Sequence, residues 1–343
     1  MNDRVTRYAG SLLVFVWFVS SGPCSTVCAG AAESGPITVT DFRAKHLVFS
    51  RPVTRIVCLI ESALSGIYML GAENHVVGIS RSVYSDTVNS YYSAMDQRIL
   101  RKELPAPGNW DHVNIESVIA LRPDLVIVWA AQSESIEALE QRGVKVYGVF
   151  LNRIDDVYRE MRALGSMTGS AGRAEDLIGY TRHRLDEMAR RLGSIGSGEW
   201  PSVYHMWAQG PLETSCGEST VNDVLGLAGA RNVCASLPRE HLVVNMERIL
   251  SWNPSVIVMW YNPRLDPDDL IKRPEWKLVS AVRNRRVHEF PDVFLCDLWT
   301  LKFQYAAWLI AKWTHPDCFH DIDLEQEGKK MLHVLYDGKL DGR

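Results

Sequence analysis

Two stretches of the chain carry the same sequence pattern, 131 residues apart. Residues 113–129 read VNIESVIALRPDLVIVW, and residues 244–260 read VNMERILSWNPSVIVMW. The two copies are 17 residues long, align without a gap and keep Val, Asn, Glu, Pro and Trp at matching places. Repeats that stack into a solenoid recur roughly every 20 to 50 residues. The wider spacing of this pair therefore indicates two similar lobes rather than a series of small stacked units.

The length of the chain agrees with two lobes. Its 343 residues exceed what one hydrophobic core commonly fills and suit two domains of about 150 residues each. A hydrophobic share of 46% beside 23% charged residues is typical of a folded protein. The net charge is −4, and no basic run is present, so we expect no nucleic-acid partner.

The N-terminus has the order of a secretory signal peptide. Arg4 and Arg7 precede an apolar run at residues 12–19, and small residues follow at 29–32. The apolar run is shorter than the roughly 20 residues that span a membrane. We therefore predict a cleaved signal peptide at residues 1–31 and a periplasmic or other extracytoplasmic location, with an uncleaved anchor as the alternative.

The cysteines are consistent with export. Cys24 and Cys28 invite a lipid anchor, but the residues before them match the lipoprotein pattern poorly, so we do not favour lipidation. Beyond the signal peptide five cysteines remain, an odd number, and their spacing fits no zinc motif. They are Cys58, Cys216, Cys234, Cys296 and Cys318. Cys216 with Cys234 is a candidate disulfide, and buried single thiols are the alternative.

Strand and helix patterns alternate along the chain, which favours parallel sheets. Residues 125–129 and 256–260 are continuous apolar runs of the kind found in buried strands. Asn114 is predicted to cap a short helix that ends before Pro123. Residues 172–193 have apolar residues at helical spacing, which predicts one stiff amphipathic helix.

These patterns predict an α/β fold with two similar lobes, each around a parallel-type central sheet, bridged by a single long α-helix. The expected boundaries are 36–157 for the N-terminal lobe, 158–193 for the bridging helical segment and 194–338 for the C-terminal lobe.

A second coincidence accompanies the repeat. Trp110 and His241 each lie six residues before the shared glutamate, Glu116 or Glu247. Loops that follow parallel strands open at the carboxyl edge of the sheet, where ligands bind. Two facing lobes would present several strand-end residues to one cleft, and an aromatic lining suits a large, flat ligand. The predicted ligand-binding residues are Tyr84, Trp110, Trp129, Trp207, His241, Trp260 and Trp299.

Each of these residues also has a structural interpretation. Any of these tryptophans can be core packing, which is the role we assign to Trp252, Trp308 and Trp313 because they lie within helical patterns. A lone histidine is commonly solvated, but the symmetry with a tryptophan makes His241 a candidate axial metal ligand. A glutamate in the first helical turn is favoured by the helix dipole by roughly 0.3 to 1 kcal/mol. The recurrence of that glutamate in both copies suggests a further role.

Four segments carry a resemblance to a known family: RIVCLIESALSGIYMLGAENHVVGIS, NIESVIALRPDLVIVW, LETSCGESTVNDVLGLAGARNV and WLIAKWTHPDCF. With them the chain resembles the substrate-binding proteins of ATP-driven importers for iron chelates, haem and cobalamin. The resemblance covers nearly the whole chain after the signal peptide. It implies two α/β lobes joined by one long helix, and a glutamate on each lobe that docks onto the membrane permease. Those glutamates would be Glu116 and Glu247.

The similarity is closest, loop by loop, to the cobalamin-binding members, in which an aromatic residue precedes each docking glutamate by six positions and a tryptophan ends the following strand. Trp110 and Trp129 match that pattern, and Tyr84 and Trp207 fall at aromatic positions that face the ligand in those members. His241 departs from it, which leaves ferric siderophore, haem or another corrinoid open. The arginines near loops that a siderophore could use are Arg81, Arg239 and Arg264. We expect a monomer without an intrinsic cofactor, and a transported ligand that contains iron or cobalt.

Two other classes of function fit the sequence less well. An enzyme is disfavoured, because the chain lacks GxxxxGK[ST] and HExxH, and Met167 stands where a nucleophile elbow needs serine. A chelate-processing enzyme stays as a remote alternative. A binder of bare transition-metal ions would need about four converging ligands, for which His112, His205 and His241 are candidates. The tryptophan-rich cleft favours a large chelate over a small hydrated cation.

Overall fold

The computed structural model describes residues 35–85, 87–193 and 195–342. The predicted signal peptide at 1–31, with Cys24 and Cys28, lies outside the described residues. From Pro36 onward the described residues form one compact unit.

Strands and helices alternate through most of this unit. The strands are β1 (Ile37–Thr40), β2 (His46–Phe49), β3 (Ile56–Cys58), β4 (Val76–Ile79), β5 (Leu125–Trp129), β6 (Val146–Val149), β7 (Ser202–Met206), β8 (Glu213–Thr214), β9 (Arg231–Asn232), β10 (Leu242–Val243), β11 (Val256–Met259) and β12 (Val287–Glu289). The helices are α1 (Glu61–Met69), α2 (Asn89–Met95), α3 (Gln97–Leu100), α4 (Ile115–Ala120), α5 (Ser133–Glu140), α6 (Ile154–Thr168), α7 (Ala171–Leu192), α8 (Thr220–Leu227), α9 (Met246–Trp252), α10 (Pro267–Lys272), α11 (Ser280–Arg283), α12 (Phe303–Thr314) and α13 (Leu324–Leu335). Short 3₁₀ turns lie at Glu73–His75, Arg81–Tyr84, Ser197–Glu199, Pro274–Trp276 and Pro316–Cys318.

Each lobe is built on a parallel sheet of four strands. The N-terminal sheet has the order β4-β3-β5-β6, and the C-terminal sheet has the order β12-β11-β7-β9. The strands pair in parallel within both sheets. The central strands β5 and β11 are apolar throughout because helices cover both faces of a parallel sheet. The predicted fold class, two similar α/β lobes, is confirmed. Two small antiparallel pairs, β1 with β2 and β8 with β10, were not anticipated.

The two copies of the repeat fold alike. The side chain of Asn114 accepts a hydrogen bond from the Ser117 N–H at 2.9 Å, and that of Asn245 accepts one from the Arg248 N–H at 2.9 Å. These caps begin α4 and α9, so the predicted cap at Asn114 is confirmed. Helix α4 ends at Ala120, before Pro123, as predicted.

One long helix, α7, follows the N-terminal sheet and leads to the C-terminal sheet, as predicted. It is preceded by α6, and Gly169 turns the chain between the two helices with φ of 79°. The C-terminal end of the chain returns to the first lobe. The Ser65 and Tyr336 hydroxyls are 2.6 Å apart, and Arg173 Nε donates to the Met69 carbonyl. The lobes are therefore held together by more than the bridging helix, and the boundaries 36–157, 158–193 and 194–338 stay a prediction.

Two further observations bear on the expectations from sequence. Cys216 and Cys234 form a disulfide, while Cys58 and Cys296 are buried free thiols and Cys318 is a half-buried one.

Within the part of the chain that the structure describes, no helix has the length and apolar character needed to cross a membrane.

Candidate ligand-binding cleft

A cavity of about 490 Å³ lies where the carboxyl ends of the two sheets meet. Most of its lining follows a strand directly or within a few residues, as expected for an α/β fold. The lining residues are Leu59, Ile60, Glu61, Ser62, Ser80, Ser82, Ser85, Thr87, Val88, Trp110, Trp129, Val149, Leu151, Trp260, Val293, Asp297 and Trp299. Both lobes contribute, so the cavity is a cleft between them.

The N-terminal lobe contributes two indole rings to the cleft. Trp129 ends β5 and meets the ring of Phe150 edge to face, with centroids 5.1 Å apart. Trp110 lies on a tight loop and is 62% exposed. Gly108 makes this loop possible, because a Cβ atom there would lie 2.3 Å from the His112 carbonyl oxygen. Trp110 therefore projects from a fixed turn, with most of its ring open to a ligand.

The C-terminal lobe contributes a packed block of aromatic rings. Trp260 and Trp299 line the cavity, with ring centroids 5.9 Å apart. Trp207 is stacked on Trp299 at 5.8 Å and is only 8% exposed. Its Nε1 donates to Ser215 Oγ at 2.8 Å. Trp207 thus supports the two cavity tryptophans from behind rather than lining the cavity itself.

His205 lies within this block, packed against Trp207 at 4.5 Å between centroids. Neither ring nitrogen has a hydrogen-bond partner. Burial lowers the pKa of His205 to about 3, so the imidazole is neutral near pH 7. Because its side chain does not line the cavity, we regard His205 as part of the aromatic packing.

Two carboxylates line the cleft, and the sequence analysis missed both. Glu61 follows β3, and its Oε2 accepts a hydrogen bond from Ser82 Oγ at 3.1 Å. Asp297 follows β12 in the other lobe, and its Oδ2 lies 3.8 Å from Lys302 Nζ. Lys302 is 1% exposed, and its ammonium group lies 3.6 Å from the centroid of the Phe294 ring. The two carboxylates are therefore the charged part of the lining, and a buried lysine lies behind Asp297.

The ionisation of these groups reflects their burial. Burial raises the pKa of Glu61, and the charge of Asp297 raises it further. Burial likewise raises the pKa of Asp297, against the opposing effect of Lys302. Burial lowers the pKa of Lys302, against the attraction of both carboxylates.

The signal that could have found Glu61 was its position just after a strand, the same rule that selected Trp129.

The structure brings together four of the seven predicted ligand-binding residues, namely Trp110, Trp129, Trp260 and Trp299. Tyr84 lies outside the lining, and its hydroxyl donates to the Leu104 carbonyl at 2.8 Å. His241 also lies outside it.

The pairing of β10 with β8 explains the position of His241. This pairing sets Val243 opposite Glu213, and His241 Nε2 lies 2.7 Å from Glu213 Oε2. The imidazole is thus engaged at the surface rather than in the cavity. Of the arginines considered for a siderophore, Arg81, Arg239 and Arg264 are all exposed and absent from the lining.

The paired glutamates of the repeat are exposed on both lobes. Glu116 lies in the first turn of α4, with 82% of its side chain exposed, and its Oε1 is 3.8 Å from an Arg142 guanidinium nitrogen. Glu247 occupies the matching position in α9 and is also exposed. Neither glutamate lines the cavity.

Metal-ligating side chains are dispersed. Across residues 35–85, 87–193 and 195–342, no three His, Cys, Asp or Glu side chains converge into a group that could hold a metal ion.

Comparison with known proteins places this geometry in context. The chain is 26% identical over 304 residues to an uncharacterized ABC transporter substrate-binding lipoprotein, YvrC, of Bacillus subtilis, covering 85% of this chain and 92% of that protein. It is 22% identical to a vitamin B12-binding protein of Vibrio parahaemolyticus, covering 69% of this chain and 81% of the relative.

A solved structure has the same fold. The molybdate-binding protein MolA of Haemophilus influenzae, bound to molybdate, superimposes with a TM-score of 0.76 at 21% identity, covering 88% of this chain and 98% of that chain. The model of the periplasmic binding protein family matches residues 56–293. The chain therefore belongs to the periplasmic binding protein family, whose members are solute-binding proteins.

Proposed function

We propose that this protein is the exported substrate-binding protein of an ABC importer and carries a metal chelate, a ferric siderophore, haem or cobalamin-type corrinoid, to the permease. The chelate contains iron or cobalt and is the transported substrate, while the protein itself needs no resident cofactor. The observation that carries the proposal is the set of four indole rings, two from each lobe, around one cavity.

The aromatic lining supports a large ligand. Indole rings supply broad apolar surface that a macrocycle or a chelate shell can cover, and burial of such surface is the main source of binding energy. The volume of about 490 Å³ falls in the ~300 to 1,000 Å³ range of small-molecule sites. Trp110 at the open side extends the contact surface beyond the cavity.

The charge of the lining argues against a bare oxyanion. Among the described lining residues the ionisable ones are Glu61 and Asp297, and none is Lys, Arg or His. An anion such as molybdate, the ligand in the MolA structure, needs positive side chains or N–H donors. The carboxylates would repel it.

The ligand assignment is tested by thermal unfolding with a panel of cyanocobalamin, haem, ferric siderophores of different chemistry and molybdate. A ligand at 100 times its dissociation constant adds about 2.7 kcal/mol to the free energy of unfolding. We expect stabilisation by at least one chelate and none by molybdate. The absorbance spectrum of the protein as purified is a second readout, because corrinoids, haem and many ferric siderophores are coloured. Stabilisation by molybdate alone would contradict the proposal.

We further propose that Glu116 and Glu247 dock onto cationic residues of the permease. Both are exposed, both stand in the first turn of matching helices, and neither touches the cleft. A pair of like charges at equivalent positions of two lobes can engage a symmetric partner. Electrostatic contacts of this kind favour both the rate and the orientation of docking.

The double variant Glu116→Ala, Glu247→Ala should abolish transport in reconstituted membranes while the dissociation constant for the chelate stays unchanged. Glu199→Ala, another exposed glutamate on the C-terminal lobe, is the matched control and should transport normally. Loss of chelate affinity in the double variant would instead give the two glutamates a structural role.

A further inference from the structure

The ionisable groups that line the cleft are both acidic. Glu61 comes from the N-terminal lobe and Asp297 from the C-terminal lobe, so each wall carries one acidic group. The cation Lys302 lies behind Asp297 rather than in the lining, with its Nζ 3.8 Å from Asp297 Oδ2. It can neutralise one carboxylate and not both. With both carboxylates ionised, the group of three residues has one net negative charge.

The aromatic lining reinforces this charge preference. The faces of indole rings attract cations through their negative quadrupole, and a desolvated contact contributes about 2 kcal/mol. Two carboxylates among four tryptophans thus make an environment in which a cation is favoured twice, once by charge and once by the rings. An anionic ligand gains from neither.

From this arrangement, and on the basis of the proposed function, we infer that the cleft selects a chelate that carries a single positive charge, recognised by Glu61, Asp297 and the surrounding indole faces. A cationic chelate is a narrower ligand class than iron and cobalt chelates in general. Haem, which carries two propionates, and ferric tricatecholates are anionic and are disfavoured. Hydroxamate chelates with an ammonium group and aquo-corrinoids have the required charge.

Proton competition gives this inference a distinct signature. Burial disfavours the ionised carboxyls in the empty cleft, whereas a bound cation favours them, so binding should release protons and affinity should rise with pH. Other titratable groups lie close enough to interact with these two carboxyls. The charged or titratable groups that face Glu61 and Asp297 are Tyr92 on α2, Glu160 on α6, Cys296 and Lys302 beside Asp297, and Tyr336 after α13.

The test is a charge series on one chelate core. An iron(III) trihydroxamate with a terminal ammonium group, its N-acetylated form and its N-succinylated form carry one positive, no and one negative charge. Aquacobalamin, cyanocobalamin and a monocarboxylate of cyanocobalamin provide the same series on a corrinoid. Dissociation constants are measured with the wild-type protein by calorimetry and tryptophan fluorescence. On whichever core binds, we expect the cation to bind about tenfold more tightly than the anion, about 1.4 kcal/mol.

Variants then assign the preference to residues. Glu61→Gln should reduce the difference in affinity between cation and anion to less than about threefold and flatten the rise of affinity with pH. Asp297→Asn should act in the same direction, although it also leaves Lys302 without its carboxylate. Glu199→Gln removes one negative charge far from the lining and should change neither measurement. Circular dichroism checks that each variant is folded.

The outcomes separate this inference from the proposed function. If a chelate core binds but the anion binds as well as the cation, the charge preference is overturned and the proposed function stands. If Glu61→Gln retains the full wild-type preference, its assignment to Glu61 is overturned. If neither core nor any other chelate binds to the wild-type protein, the proposed function itself fails.

Discussion

The two lobes present aromatic surface to the same cleft in different ways. In the C-terminal lobe, Trp260 and Trp299 are braced by Trp207, which is stacked, hydrogen-bonded and 8% exposed. In the N-terminal lobe, Trp110 stands on a turn and is 62% exposed. The tryptophans of the C-terminal lobe are already packed against one another, whereas Trp110 in the N-terminal lobe leaves apolar surface exposed. Under the proposed function, the first lobe would supply a rigid platform and the second would gain burial when the ligand binds.

The largest expected effect is the difference in free energy of unfolding between a variant of Trp207 and a variant of Trp110. Trp207→Ala removes a buried ring and leaves Ser215 without its donor, so we expect a loss of about 3 to 5 kcal/mol. Trp110→Ala should change the free energy of unfolding by less than about 0.5 kcal/mol. Both values come from urea unfolding. Equal losses in the two variants would contradict the proposed difference between the walls.

The disulfide should stabilise the protein, with its local effect in the C-terminal lobe. Cys216 and Cys234 are 18 residues apart, and Cys216 directly follows Ser215, the hydrogen-bond partner of Trp207. Replacing both with serine should cost about 2 to 4 kcal/mol by freeing the unfolded chain. Hydrogen exchange should report faster opening of β7 and little change in β5. The control is Cys318→Ser, which alters a half-buried thiol outside any disulfide.

The buried carboxyl of Glu160 should make the free energy of unfolding depend on pH. It is 4% exposed, on α6, with Oε1 unpartnered. Burial, and then the nearby Asp297, raises its pKa from 4.5 to about 8. The folded protein keeps this proton where the unfolded chain releases it, so the stabilisation is complete below about pH 4.5 and is lost as pH rises toward about 8.

Each pH unit across that window costs up to about 1.4 kcal/mol of stability. Glu160→Gln should remove this slope and be more stable than the wild-type protein at about pH 8.5. Urea unfolding at a series of pH values measures it. A wild-type protein whose stability is flat across the window would show that Glu160 is ionised normally.

Trp110 contributes little to stability but should contribute strongly to chelate affinity. Because the proposed chelate covers its exposed ring, Trp110→Ala should weaken binding by more than about 1 kcal/mol, even though the protein remains fully stable. Calorimetry with the chelate found in the thermal screen measures this. Trp110→Phe keeps part of the ring surface and should bind with intermediate affinity. An unchanged dissociation constant in Trp110→Ala would exclude this ring from the site.

The smallest effect is expected at His241, the counterpart of Trp110 in the repeat. Its imidazole pairs with Glu213 outside the lining, so His241→Ala should change chelate affinity by less than about twofold, as for a surface pair. A loss of more than tenfold, with a shift in the absorbance of the bound chelate, would instead support an axial ligand. Comparing Trp110→Ala with His241→Ala tests whether these matching positions of the repeat contribute equally to ligand binding.

Much of the fold could be predicted from the sequence because its signals are local. Apolar runs, the cap at Asn114 and the spacing of the repeat depend on neighbours within a few residues, and β5, α4 and α7 followed these predictions. The polar part of the cleft could not be predicted in the same way. Glu61 and Asp297 are 236 positions apart, and their proximity depends on how the two sheets face each other.

The aromatic residues show the same limit more sharply. Trp129, Trp207, Trp260 and Trp299 all looked alike as strand-end or loop tryptophans. Which of them faces the cavity depends on stacking among residues far apart in the chain, such as Trp207 against Trp299. The pairing of β8 with β10 places His241 beside Glu213. This is a long-range contact between two-residue strands, which are too short to produce a recognisable sequence pattern.

The sequence by itself thus determined that this protein has two parallel α/β lobes, a matched pair of exposed glutamates and tryptophans at the carboxyl edges of its sheets. Periodicity and capping encode these features within short segments. Only the tertiary structure decided that four of the tryptophans surround one cleft, that Trp207 supports Trp260 and Trp299 from behind, and that two carboxylates backed by Lys302 give the cleft its charge. The physical reason is that packing and electrostatic fields arise between segments, and no single segment contains them.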